Sequence, residues 1–75
     1  MQDKHWERYR LLGLNIAYYR KLRGLSQETL AEKADIGRTH LSRIEIADCA
    51  PSLDVVYEIA DVLGVEPYKL FQSKE

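Results

Sequence analysis

Residues 25–45, LSQETLAEKADIGRTHLSRIE, contain two short helical patterns separated by only three residues, 35–37. The apolar positions that recur at helical spacing in the two patterns are Leu30, Ala31, Ala34, Leu41 and Ile44. Ser26 precedes the first pattern, and its hydroxyl is suited to accept a hydrogen bond from a first-turn amide. Because the hinge is so short, the two helices must pack against each other, and the rest of the chain must supply the core that holds them.

The remaining sequence also has helical periodicity and nothing in it is typical of a strand. The first predicted helix runs from about Lys4 or Trp6 to Arg23 and is followed by Gly24, where a left-handed residue is favoured. A later helix is capped by Ser52 and ends at Gly64, and a short one runs from Glu66 to Phe71. The second member of the tight pair runs from about Arg38 to Ile46. The predicted core residues outside the pair are Leu12, Ile16, Tyr19, Leu53, Val56, Ile59, Ala60, Leu63, Leu70 and Phe71. We therefore expect an all-α bundle of five helices in which helices 2 and 3 form the tight pair.

Length and composition limit the class of protein. A chain of 75 residues forms one domain, here taken as 1–75. Its first ten residues are charged rather than apolar, and no apolar run approaches the roughly 18 residues of a membrane span. One cysteine, Cys49, excludes an internal disulfide and suits a reducing compartment. We expect a cytoplasmic protein that does not contact a membrane.

Catalytic and metal-binding patterns are missing from the sequence. His5 and His40 stand 35 residues apart without cysteine or carboxylate partners at metal-ligand spacing. Cys49 has no cationic sequence neighbour that would lower its pKa, so a passive loop cysteine is favoured over a redox switch. We expect neither an enzyme nor a cofactor, metal or small-molecule site.

Charge is unevenly distributed along the chain, whose formal net charge is −1. Residues 1–45 carry nine Lys and Arg against six Asp and Glu, whereas residues 46–75 carry two against six. Because a binding partner responds to local charge, a basic face is compatible with a weakly acidic protein. The distribution permits nucleic-acid binding without establishing it.

The second helix of the pair has the side chains needed to contact DNA bases. At 100° per residue, Arg38, Thr39, Ser42 and Arg43 occupy an arc of about 140°, and the apolar residues lie opposite. Arginine can form a bidentate bond to guanine, and threonine offers a hydroxyl and a methyl group. A solvated helix face also carries charge, but this arc lies on the second helix of a tight pair, the helix that enters the major groove in a helix-turn-helix.

Several motifs at consistent mutual spacing carry a family resemblance. They are Leu25-Ser26-Gln27-Glu28-Thr29-Leu30-Ala31, then Arg38 with Ser42-Arg43-Ile44-Glu45, then Pro51-Ser52-Leu53 with Ala60, Leu63, Gly64 and Val65. Residues 12–71 thereby resemble the Xre family of phage-repressor-like (Cro/repressor-type) helix-turn-helix domains. The resemblance implies a lambda-repressor-like fold and a transcriptional regulator that binds double-stranded DNA.

The resemblance also implies roles for matching residues. Gln27 would contact a phosphate through its side chain or adjacent amides, unless it is an ordinary first-turn polar residue. Arg38 and Thr39 would be the main base contacts, Ser42 and Arg43 would contact or support them, and His40 would touch the DNA backbone or be a partly buried surface residue. Arg20 and Glu45 would form a structural ion pair, with a phosphate contact as the alternative role for Arg20.

Two positions depart from the family pattern. Asp35 occupies the hinge position where glycine is usual, although aspartate tolerates the left-handed conformation better than most residues. After Glu45 the family tends toward a glycine and then basic or polar residues, whereas this chain has Ile46-Ala47-Asp48-Cys49-Ala50. Asp48 would repel the phosphate backbone, so we expect fewer phosphate contacts and a shallow salt dependence.

One such module makes few base contacts, so we expect a homodimer that binds a two-fold operator. The candidate dimer residues are Tyr57, Val65, Tyr68 and Phe71, which could instead be wholly internal. The alternative function is a helix-turn-helix fold used to bind a protein partner, which the acidic second half favours. The chain could also be one piece of a longer regulator, although the polar ending 72–75 is typical of a natural stop.

Overall fold

The computed structural model describes residues 4–73, and these form four α-helices and one 3-10 helix. The elements are α1 (Trp6–Leu22), α2 (Gln27–Lys33), α3 (Arg38–Glu45), α4 (Leu53–Leu63) and a 3-10 helix η1 (Pro67–Phe71). The all-α prediction is confirmed, but the fifth element is a single tight 3-10 segment rather than a full α-helix. Residues 1–3 and 74–75 of the predicted domain lie outside the described residues.

Two serines cap helices as predicted. The Ser26 hydroxyl accepts a hydrogen bond from the backbone N–H of Thr29, and the Ser52 hydroxyl accepts one from Val55. Each bond satisfies an amide that has no partner within its own helix. The starts of α2 and α4 are thus fixed by local sequence.

All four α-helices end in the same way. Each helix is followed by a residue with positive φ. The backbone N–H of that residue and the backbone N–H of the next residue both donate to carbonyls of the last helical turn. This is the Schellman arrangement, which normally favours glycine at the positive-φ position. The four positive-φ residues are Gly24, Asp35, Ala47 and Gly64. Gly24 and Asp35 match the sequence-based expectation, whereas the left-handed Ala47 was not predicted.

The core lies between the four α-helices, and η1 packs against α1 and α4. Its central side chains are Ile16, Leu30, Leu41, Ile44, Ile59, Leu63 and Leu70. α1 approaches α3 unusually closely at Gly13, where a Cβ atom would lie 2.5 Å from the carbonyl oxygens of Ile44 and Glu45. The glycine that weakens α1 as an isolated helix is therefore required by its packing.

Asn15 is a buried polar residue that sequence reasoning did not single out. Its side-chain nitrogen donates to the carbonyl oxygens of Leu70 and Gln72, both at 2.9 Å. These bonds tie the end of η1 to α1. The only sequence signal was a polar residue next to Ile16, beside the apolar stripe.

Two core predictions were wrong. Leu53, in the first turn of α4, and Phe71, at the end of η1, are exposed to 60% and 49% rather than buried. Leu70 alone closes the core from η1, because a 3-10 helix turns its neighbouring side chains to different sides. Among residues 4–73, no helix is long and apolar enough to cross a membrane.

Candidate nucleic-acid interface

The structure places the predicted base-contacting residues on the outer side of α3. Arg38, Thr39 and Arg43 are exposed, and Ser42 is half-buried between them. Leu41 and Ile44 are buried on the opposite side and hold the helix against the core. The exposed arc, hereafter the α3 face, consists of Arg38, Thr39, Ser42 and Arg43, which carry two positive charges and two hydroxyls.

A buried hydrogen-bond network holds α3 in place. Arg20 from α1 donates through Nε to Glu45 Oε2 at 2.7 Å and through a second nitrogen to Oε1 at 3.1 Å. Its third nitrogen donates to the carbonyl of Leu25. The two side chains are 11% and 5% exposed, so solvent screens the pair little. This fork-to-fork pairing fixes the end of α3 to α1.

Gln27 belongs to the same network. Its side-chain nitrogen donates to Glu45 Oε1 at 2.9 Å, so α2 is joined to the α1–α3 pair. The side-chain nitrogen of Gln27 thus has an internal partner, and a phosphate contact would involve its backbone N–H or the second N–H of Nε2. Among the predicted DNA contacts, Gln27 is the residue most engaged with the scaffold.

The loop after α3 folds back onto the helix. Arg43 Nε donates to Asp48 Oδ2 at 3.0 Å, forming an ion pair whose side chains are about half exposed. One residue later, Cys49 Sγ lies 3.9 Å from Nδ1 of half-buried His40. The sequence predicted Asp48 to act by repelling phosphates, and the structure shows that it also pairs with an arginine of the α3 face.

A shallow pocket lies between the starts of α2 and α3. It encloses about 350 Å³ and is lined by Arg20, Ser26, Gln27, Glu28 and Arg38. The packing of the helix pair therefore brings Arg38 to the first turn of α2. Within residues 4–73, no group of three or more His, Cys, Asp or Glu side chains is placed to hold a metal ion.

Comparison with known proteins agrees with this architecture. The HTH_3 family, described as helix-turn-helix, matches residues 16–70. The chain is 35% identical over 66 residues to the HTH-type transcriptional regulator SinR of Bacillus licheniformis, covering 87% of this chain but only 60% of that regulator. The chain thus spans less than two thirds of that relative.

Solved structures give the same result. The restriction-modification controller protein C.AhdI from Aeromonas hydrophila superposes with a TM-score of 0.82 and 32% identity, covering 84% of this chain and 96% of C.AhdI. The N-terminal DNA-binding domain of SinR from Bacillus subtilis superposes with a TM-score of 0.81 and 34% identity, covering 88% and 97%. The chain therefore belongs to the HTH_3 (Xre/Cro-type) helix-turn-helix family.

Proposed function

We propose that this protein binds a specific two-fold operator as a homodimer, with α3 of each protomer in the major groove. The observation that carries the proposal is the α3 face, where Arg38, Thr39 and Arg43 are exposed on the second helix of the tight pair. Arginine and threonine are suited to contact base edges, and the network around Glu45 fixes the helix that presents them. Ser42 would contact bases or support its neighbours from the same face.

Gln27 and His40 are assigned to the DNA backbone. Gln27 opens α2, where backbone N–H groups point away from the helix, and its side chain is already bonded to Glu45. We assign its phosphate contact to the backbone amide. His40 lies half-buried at the edge of the α3 face, next to Cys49, which suits a marginal contact rather than a base contact.

Exposed apolar side chains support the homodimer. Tyr57, Tyr68 and Phe71 are 48%, 60% and 49% exposed, and only Val65 of the four predicted dimer residues packs partly against the core. α1 adds an exposed stripe of Leu14, Tyr18 and Leu22, spaced four residues apart, which the sequence reasoning did not predict. On the helical wheel this stripe lies to one side of Asn15, whose side chain bonds η1. Phe71 lies near Arg8, Tyr9 and Leu12, on the other side of Asn15.

The size of the domain leaves room for one copy on each of two adjacent half-sites. The domain measures 30 × 27 × 19 Å, and half-sites one turn of DNA apart are separated by about 34 Å.

Selection of bound duplexes from a random pool tests the proposal. We expect enrichment of a two-fold symmetric consensus. Arg38→Ala should weaken binding to that consensus by about 1–3 kcal/mol and relax specificity at one position. Lys69→Ala, which removes the same charge from η1, is the matched control and should leave specificity unchanged. No enrichment by the wild-type protein would overturn DNA-sequence recognition by this chain.

Sedimentation of the free protein tests the dimer separately. Tyr68→Asp should shift a concentration-dependent dimer toward monomer, since it places a charge in an apolar contact, while Tyr68→Phe should retain the dimer. A monomeric wild type combined with an asymmetric consensus would refute the dimer and leave DNA binding intact.

Binding of a protein partner is the second candidate function. The α1 stripe of Leu14, Tyr18 and Leu22 and the acidic residues of 46–75 favour it. Under this alternative the α3 face is only a solvated surface, so Arg38→Ala would change no interaction with DNA.

A further inference from the structure

The residue that follows the left-handed position distinguishes α3 from the other helices. In a Schellman ending this residue commonly makes an apolar contact with the last turn of its helix. This residue is Leu25 after α1, Ile36 after α2 and Val65 after α4, and each is partly buried against the core. After α3 it is Asp48, which is exposed and charged.

The ending of α3 joins Asp48 to Arg43 twice. The Asp48 backbone N–H donates to the Arg43 carbonyl at 2.8 Å, and Arg43 Nε donates to the Asp48 carboxylate at 3.0 Å. The backbone bond is part of the Schellman geometry, so the aspartate is held over that particular arginine by the fold of the chain itself. An exposed ion pair of this kind adds little to stability, so its main effect is on the position of the side chains.

We propose that Asp48 is a specificity-determining, positioning residue that fixes Arg43 for recognition of one guanine. This inference rests on the proposed function. Guanine offers O6 and N7 to two nitrogens of a guanidinium. Because Nε is engaged by Asp48, Arg43 can use only the end that carries Nη1 and Nη2. Because pairing with Asp48 restricts the Arg43 side chain, that side chain loses less conformational freedom when it binds guanine. The restricted side chain is also less able to contact a phosphate.

The negative charge of Asp48 also weakens the attraction between Arg43 and the phosphates of DNA, whatever the DNA sequence. A released Arg43 could reach the phosphate backbone, and one additional phosphate contact steepens the logarithmic salt dependence by about 0.9. Asp48 therefore raises specificity in two ways, since it favours the base contact and disfavours the phosphate contact.

Two substitutions separate positioning from simple charge repulsion. Asp48→Ala removes both the charge and the hydrogen-bond acceptor, whereas Asp48→Asn removes the charge and keeps an acceptor oxygen near Nε. Asp61→Asn makes the same change of charge on α4 and serves as the control. Each protein is tested against the selected consensus, its three single-base variants at the position contacted by Arg43, and a random duplex, over a range of salt concentrations.

We expect Asp48→Ala to reduce base preference at that one position by about fivefold or more, out of the roughly 5- to 150-fold that a bidentate contact provides. Its binding to random duplex should strengthen, with the salt slope steeper by about 0.9. Asp48→Asn should retain more of the base preference than Asp48→Ala does. Asp61→Asn should leave the preference unchanged.

Two results would overturn the inference, and they are distinguishable. If both Asp48 variants bind all sequences more tightly by the same factor and keep the wild-type preference, Asp48 acts by charge alone and the positioning role is refuted. If the wild-type protein enriches no sequence, the proposed function fails and the positioning role fails with it. Far-UV circular dichroism of each variant verifies that the helices are intact.

Discussion

Replacement of Gly13 by alanine tests the closest contact in the fold, the approach of α1 to the end of α3. In an isolated helix, glycine to alanine is stabilising by about 1 kcal/mol. In this structure the added Cβ would lie 2.5 Å from the carbonyl oxygens of Ile44 and Glu45 and 2.8 Å from the carbonyl carbon of Glu45. Ordinary C···O contacts are about 3.3–3.6 Å long, so α1 and α3 would have to separate by about 0.8 Å.

The cost follows from the type of atoms involved. Overpacking costs about 1–3 kcal/mol, and we take the upper end because backbone carbonyls cannot rotate away as a flexible side chain can. Subtracting the gain in helix propensity leaves a net loss of about 2 kcal/mol. For a domain of this size each kcal/mol corresponds to about 4–8 °C, so Gly13→Ala should lower Tm by about 8–16 °C.

Thermal unfolding followed by circular dichroism measures this change. Ala17→Gly, at a half-buried position of the same helix, provides the matched control, since it costs about 1 kcal/mol through helix propensity. The two reciprocal substitutions should both destabilise the protein, with the larger loss at Gly13. An increase in Tm for Gly13→Ala would refute the close approach of α1 and α3.

Two further predictions concern the scaffold. Glu45→Ala leaves Arg20 buried without its carboxylate, so it should lower the free energy of unfolding by about 3–5 kcal/mol. That is a large part of the total of roughly 4–11 kcal/mol expected for 75 residues. A loss below about 1 kcal/mol in urea unfolding would mean that solvent replaces the ion pair. Ser52→Ala should cost about 1 kcal/mol by removing the cap of α4, and Ser52→Asp should retain most of that stability; equal losses in the two variants would exclude a capping role.

Prediction from sequence succeeded where the interaction is local. Ser26 and Ser52 cap the helices that follow them, and Gly24 and Gly64 adopt the left-handed conformation that ends α1 and α4. These features depend on residues within one turn of each other, so chain order alone reveals them. The apolar spacing of α3 likewise identified which side of the helix is buried.

Prediction failed where distant segments meet. The fifth element is a 3-10 helix rather than the predicted α-helix, and Phe71 is exposed rather than buried. Both features depend on how η1 packs on α1, where Asn15 bonds to it. The left-handed conformation is unfavourable for alanine, so nothing local marks Ala47 as left-handed. Ala47 is buried, and the surrounding packing outweighs this local cost.

The sequence by itself determined the helix pair, its hinge and the arc of α3 that carries Arg38, Thr39, Ser42 and Arg43, because helical periodicity and capping are local properties. Only the tertiary structure decided that α1 touches the α3 backbone at Gly13, that Gln27 joins the Arg20–Glu45 pair, and that Asp48 returns to Arg43. These contacts depend on chain reversals and helix packing, whose geometry is set by the whole core rather than by any one segment.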